Sequence, residues 1–224
     1  MARIRRNPSS VRHAALAAAL WAACVAPAVA QAPSNPNLNA QLLVGARQAD
    51  RAQVERTLAQ GAAPNARNRL GKTPLLIAAE KGNEAIAELL LRAGADVNLA
   101  SLEGVTPLMA ASYGGHAALV KRLIAAGARL DPVDRMHKPA VIYAAGQGHA
   151  AVLEALIAAG ADVNQPHEHG LTPLMWAAGQ GQAEAVRLLI ARGARTDLRD
   201  DRGLTALEIA RGAHQDAVLP LLGG

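Results

Sequence analysis

The chain has 224 residues, 53 of them alanine, with 51% hydrophobic and 18% charged side chains. That is enough apolar material for a packed core. With only two Trp, two Tyr and no Phe, the core has to be built from Ala, Leu, Ile and Val. Period-two runs of β-branched and aromatic residues are absent, which excludes a sandwich or barrel, and a single cysteine excludes an intrachain disulfide framework or a Cys-rich zinc module.

The formal charge of +5 is unevenly placed. Arg3, Arg5, Arg6 and Arg12 lie at the start, and no acid precedes Asp50. Without residues 1–30 there remain 19 basic and 18 acidic side chains, a net charge of +1. So nearly neutral a body gives no electrostatic ground for nucleic acid as a partner. The opening MARIRRNPSSVRH, then AALAAALWAACVAPAVA, then QAPS, reads as a basic region, an apolar stretch and a small-residue cleavage site. Ala28-Val29-Ala30 predicts cleavage after Ala30 and export to the periplasm. A membrane anchor is the rival reading, but residues 14–30 fall short of the roughly 20 apolar residues a spanning helix needs. A third reading is lipidation at Cys24 after Ala22-Ala23, although Trp21 stands where Leu or Val is usual. Loss of Cys24 with the signal leaves a mature chain without cysteine, which suits an oxidising compartment. Residues 31–37 read as a short linker rich in Pro and Asn.

From residue 38 onward the sequence repeats every 33 residues. Gly61, Gly94, Gly127, Gly160 and Gly193 follow that spacing. Thr73-Pro74-Leu75 recurs as Thr106-Pro107-Leu108 and Thr172-Pro173-Leu174, with Pro139-Ala140-Val141 between them and Thr205-Ala206-Leu207 last. Thr73 can cap the helix that follows, and Pro74 fits its first turn, because the N–H that Pro lacks has no helical partner there. In the second unit that helix stops near Gly82. A second helix covers about residues 84–92 and ends at Gly94, a place suited to a left-handed cap. Helices this short are marginal alone, so stacking must hold them. Ala-Ala pairs such as Ala78-Ala79 and Ala177-Ala178 allow close approach, and Leu90, Leu123, Leu156 and Leu189 can seal the next layer.

The pattern G-x-T-P-L-x-x-A-A-x-x-G-H, an apolar helix and then G-A-D-V-N, repeated in register over residues 38–224, resembles the ankyrin repeat family. The resemblance implies an all-α solenoid of about six helix–turn–helix units with β-turn fingers. The units are 38–70 (N-terminal cap), 71–103, 104–136, 137–169, 170–202 and 203–224 (C-terminal cap). It also implies action by binding another protein in a groove formed by finger tips and inner helices. On that register Ile77, Ala110, Tyr143, Trp176 and Ile209 share one groove-facing position, and Tyr113 ends an inner helix. The partner-binding candidates are therefore Tyr113, Tyr143 and Trp176, with Met109 and Met175 as an adaptable apolar surface. The finger tips add Arg69, Lys72, Arg135, Met136, His137, His167, Glu168 and His169. The competing reading is that Tyr143 and Trp176 fill space between repeats. His137 replaces a finger Gly and Pro139-Ala140 replaces Thr-Pro, so this unit either bends the stack locally or is adapted to a ligand.

His137, His167, Glu168 and His169 are ligand types for zinc, but nothing in their spacing fixes a geometry, so no metal and no cofactor is expected. There is no G-x-S-x-G, and no Lys-Ser/Thr pair follows Gly114-Gly115 or Gly146-Gln147-Gly148, so no catalytic residue is assigned. The expectation is a monomeric, non-enzymatic protein-binding module of the periplasm. It would serve as an accessory partner of a periplasmic enzyme, for example one concerned with oxidative stress. The alternatives are an immunity or inhibitor protein that blocks a toxin or hydrolase, or a membrane-anchored structural lipoprotein.

Overall fold

In the computed structural model, residues 35–224 are described. The signal, the cleavage after Ala30 and Cys24 lie outside them. The described chain forms α1 (Pro36–Gln48), α2 (Arg51–Ala59), α3 (Pro74–Glu80), α4 (Glu84–Arg92), α5 (Pro107–Tyr113) and α6 (Ala117–Ala125). It continues through α7 (Ala140–Gly146), α8 (Ala150–Ala158), α9 (Pro173–Gly179), α10 (Ala183–Ala191) and α11 (Ala206–Gly212) to a 3-10 helix, Asp216–Leu222. Odd-numbered helices stack on one another as an inner row, and α2, α4, α6, α8 and α10 stack as an outer row. Among the described residues there is no strand, and the architecture is the expected helical solenoid.

Local rules explain the elements. Thr73, Thr106, Thr172 and Thr205 cap the inner helices, each accepting from the third backbone N–H at 3.1 to 3.3 Å. The inner row approaches closely because Ala78, Ala79, Ala111, Ala144, Ala145, Ala177 and Ala178 are fully buried. Leu90, Leu123, Leu156 and Leu189 close the space between inner and outer rows. Burying each such side chain is worth about 1.5–3 kcal/mol, which supplies the stability that seven- and nine-residue helices lack alone.

One boundary differs from the sequence reading. Helix α1 begins at Pro36, inside the stretch read as linker, and runs for 13 residues. The Asn35 side chain accepts from Asn37 N and Leu38 N, and Pro36 occupies the first helical position. The Pro/Asn composition was thus a helix start rather than a spacer.

Two sets of hydrogen bonds join successive units. In the fingers, Leu102 N donates to Leu70 O, Arg135 N to Glu103 O and Asp201 N to His169 O, each at 3.0 Å. Gly71 (φ +72) permits this stacking, since a Cβ there would lie 2.8 Å from Leu102 N. Behind the fingers, Asn65, Asn98 and Asn164 each bridge to the next unit. Asn98, for example, donates to Gly127 O at 3.1 Å and accepts from Arg129 N at 2.9 Å. Between finger 134–138 and finger 167–171 both links are missing. Asp131 stands at the asparagine position and pairs with Arg129 instead, and no bond joins Glu168 N to Met136 O among the described residues. A cavity of about 220 Å³ opens at this junction, lined in part by Asp131, Pro139, Asp162 and His167. Pro139 leaves α7 without a side-chain cap, and His137 takes φ 52° where other fingers have glycine. What remains in the fingers is His137 Nδ1, 3.4 Å from Glu168 Oε1.

Candidate protein-docking face

The inner helices bring the three aromatics together. Tyr113, at the end of α5, is 55% exposed. Its ring meets Tyr143 of α7 edge-on, with centroids 5.7 Å apart and planes at 85°, a favoured arrangement for aromatic pairs. Trp176 of α9 follows one unit on, and Lys138 Nζ sits 4.4 Å above its ring. Tyr143 and Trp176 are half-buried and pack against the core, so they fill inter-repeat space and also reach the surface.

Two hollows flank the tyrosine pair. The larger, about 490 Å³, lies between Lys72, Glu80, Val105, Ala110 and the two tyrosines. The smaller, about 230 Å³, lies between the tyrosines, Lys138, Gln147, Trp176 and Gln180. On the adjoining finger tips Leu70, Leu102 and Met136 are 60%, 61% and 56% exposed.

Polar contacts set the ring positions. Tyr143 Oη donates to Asp134 Oδ2. Asp134 is buried at the base of its finger, and its other oxygen accepts from Met136 N and Lys138 N at 2.9 Å. Burial, then the Asp134 hydrogen bond and charge, push the Tyr143 phenol far above its ordinary value, so it remains a donor at neutral pH. His149 Nε2 donates to the Tyr113 carbonyl at 2.9 Å, which fixes the tautomer and the end of α5. Asp134 was missed in the sequence. Its signal is the shared register of Asn68, Ser101, Asp134 and Asp200, whose side chains all accept from two N–H groups of their own finger.

The other sequence candidates divide. Arg69, Arg135, Met136, His137, Glu168 and His169 are exposed on the fingers, and Lys72 is half-buried in an ion pair with Glu80 at 2.6 Å. Arg135 pairs with Glu103 at 3.1 Å. Met109 and Met175 are corrected: they are 1% and 2% exposed, and their sulfurs accept from Thr106 N and Thr172 N. They belong to the core and caps, with Met109 flooring the larger hollow. His167 is also corrected. Its Nε2 is buried without a partner and its ring lines the junction cavity rather than a finger tip, so burial holds its pKa down. Glu168 reaches His137 and His169 at 3.4 and 3.8 Å, and no group of three or more metal-ligating side chains occurs among the described residues. No helix of the described residues is long and apolar enough to cross a membrane.

Three successive matches to ankyrin repeats cover residues 42–134, 82–167 and 141–224. The chain belongs to the ankyrin repeat family. Members of that family are generally non-enzymatic modules for protein–protein interaction, and the aromatic face lies on the inner helices and fingers of the stack. No curated relative matches the chain.

Proposed function

We propose that the protein is an exported, monomeric, non-enzymatic docking module. It binds another protein in the periplasm, as an accessory partner of a periplasmic enzyme, for example one concerned with oxidative stress. The observation that carries the docking reading is Tyr113, a large aromatic side chain 55% exposed on an otherwise close-packed inner row and flanked by two hollows. Large rigid aromatics of this kind dominate binding energy where they become buried. The neighbouring charges favour docking over catalysis. Lys72 is held by Glu80, and Asp134 accepts from three donors, which leaves neither as a free base. Export rests on the basic, apolar and Ala28-Val29-Ala30 succession.

The test uses the purified protein as bait for periplasmic extract, beside Tyr113→Ala and a Tyr113/Tyr143/Trp176 triple alanine. Helical content of each bait is checked by circular dichroism. One protein held by the wild type and lost from folded Tyr113→Ala supports the reading. Equal recovery by both sinks the aromatic face as the docking site. N-terminal sequencing of the periplasmic form should begin at Gln31, and an unprocessed or diacylated chain would overturn the soluble periplasmic assignment.

A further inference from the structure

In the two hollows and the first finger the unmatched charge has one sign. In the larger hollow Lys72 is neutralised by Glu80 at 2.6 Å. In the smaller hollow the one full charge is Lys138, which lies over Trp176 and has no ion-pair partner among the described residues. The acid nearest in sequence, Asp134, is taken up by Tyr143 Oη and two backbone N–H groups. The first finger, residues 67–72, has Arg67, Arg69 and Lys72 and no acid. Arg67 is turned onto the carbonyls of Gly71 and Ala100, while Arg69 stays exposed with no carboxylate against it. Exposed Leu70, Leu102 and Met136 run between these cations, and the tyrosine pair sits between the hollows.

We propose that the occupant of this face is an extended acidic protein segment in which a large apolar side chain adjoins Asp or Glu. The apolar side chain enters the larger hollow against Tyr113 and Tyr143. A carboxylate pairs with Lys138 in the smaller hollow, and further acids lie toward Arg69. A carboxylate strengthens the existing arrangement, because Lys138 can hold it while keeping its place above Trp176, where the ring face already attracts the ammonium. A cationic segment would meet the like charge of Lys138 and would be repelled unless it displaced the ammonium from the Trp176 ring. Complementary charge selects the partner and its direction along the groove, and the aromatic pair supplies most of the affinity. This inference rests on the inner-helix face being the docking site.

The probe is a random twelve-residue peptide-display library selected against the purified protein, followed by fluorescence anisotropy on the enriched peptides. Enriched sequences are expected to share Asp or Glu beside a large apolar residue. Their Kd should rise about 30-fold in Tyr113→Ala and about tenfold in Lys138→Glu. A Glu→Lys peptide should regain affinity on Lys138→Glu but not on the wild type, a rescue that misfolding cannot imitate. Peptides that lose affinity in Tyr113→Ala yet carry no acid, or carry basic residues, overturn the acidic partner and leave the docking face standing. Peptides indifferent to Tyr113→Ala overturn both, as does the absence of any enriched peptide.

Discussion

Shifting the proline by one position, with Pro139→Thr and Ala140→Pro combined, should stabilise the protein. In the native chain Pro139 takes φ −80°, ψ 174°, close to Thr106 at −88°, 162°, so the backbone already has the capping conformation. What it lacks is the hydroxyl that accepts at 3.1–3.3 Å in the four threonine-capped units. A cap of this kind is worth about 1 kcal/mol, within a range of about 0.5–2. Moving the proline to position 140 leaves the number of prolines in the chain unchanged, so the restriction it places on the unfolded state cancels to first order. Position 140 is the first of α7, where Pro74, Pro107 and Pro173 sit in the other units. The backbone N–H restored at position 139 has a native precedent. Thr73 is equally buried with the apolar Leu76 three residues on, just as Ile142 stands three residues after position 139. The expected gain of about 1 kcal/mol corresponds to a rise of roughly 2–4 °C in thermal midpoint for a chain of this size. Urea and thermal unfolding by circular dichroism would read it, with Thr106→Val as a control losing a similar amount. An unchanged or lowered midpoint in the double variant, with the expected loss in the control, would refute the argument that the missing cap weakens this unit.

Three further outcomes follow from the same geometry. Asp131→Asn should restore the bridge to Gly160 O and Asp162 N that Asn65, Asn98 and Asn164 make elsewhere. Hydrogen exchange at the Asp162 amide should slow; an unchanged rate counts against a bridge lost by sequence alone. Gly94→Ala, at φ +84° with open space around the added methyl, should cost about 1–2 kcal/mol from backbone strain, and Gly71→Ala should cost distinctly more, because its methyl also meets Leu102 N. Equal losses in denaturant unfolding would mean that the fingers do not stack as described. For Tyr143, burial and then the Asp134 contact raise the folded-state pKa above 10.0. The neutral phenol is therefore favoured in the fold, and its contribution is complete below about pH 10 and lost as pH rises toward the folded value. The alkaline decline in stability should be shallower in Tyr143→Phe than in wild type, and parallel declines would remove Asp134 as the phenol's partner.

The repeats were legible because their determinants are local. Thr at the cap, Pro at the first position and Gly at the outer turn fix α3, α5 and α9 within a few residues, and the 33-residue spacing carries the same solution along the chain. The start of α1 was read as linker because Pro36 and Asn35 carry the same composition in a linker as in a helix start, and only the Asn35 side-chain bonds distinguish them. Met109 and Met175 were misplaced for a different reason. They lie one position before the groove-facing residue, and a rotation of about 100° per residue separates the groove from the core. Register to within one residue decides the face, and on a seven-residue helix there is too little periodicity to settle it. Asp134 acts within its own unit, on Met136 N, Lys138 N and the Tyr143 hydroxyl, but the broken junction depends on partners about 30 residues away: Asn98 reaches Gly127, and Asp131 fails to reach Gly160. A change from Asn to Asp is mild by composition, yet here it removes a bridge between units because a carboxylate has no N–H to donate and finds Arg129 closer at hand. The same junction has lost its finger bond, its helix cap and its finger glycine, so four local departures fall on one interface of a stack whose stability is a sum over neighbouring interfaces. Lys138 lies in that altered finger and Tyr143 in the helix that follows. The junction that has lost these links lies between Tyr143 of α7 and Trp176 of α9, whereas Tyr113 meets Tyr143 across the preceding junction, whose finger bond and asparagine bridge are intact.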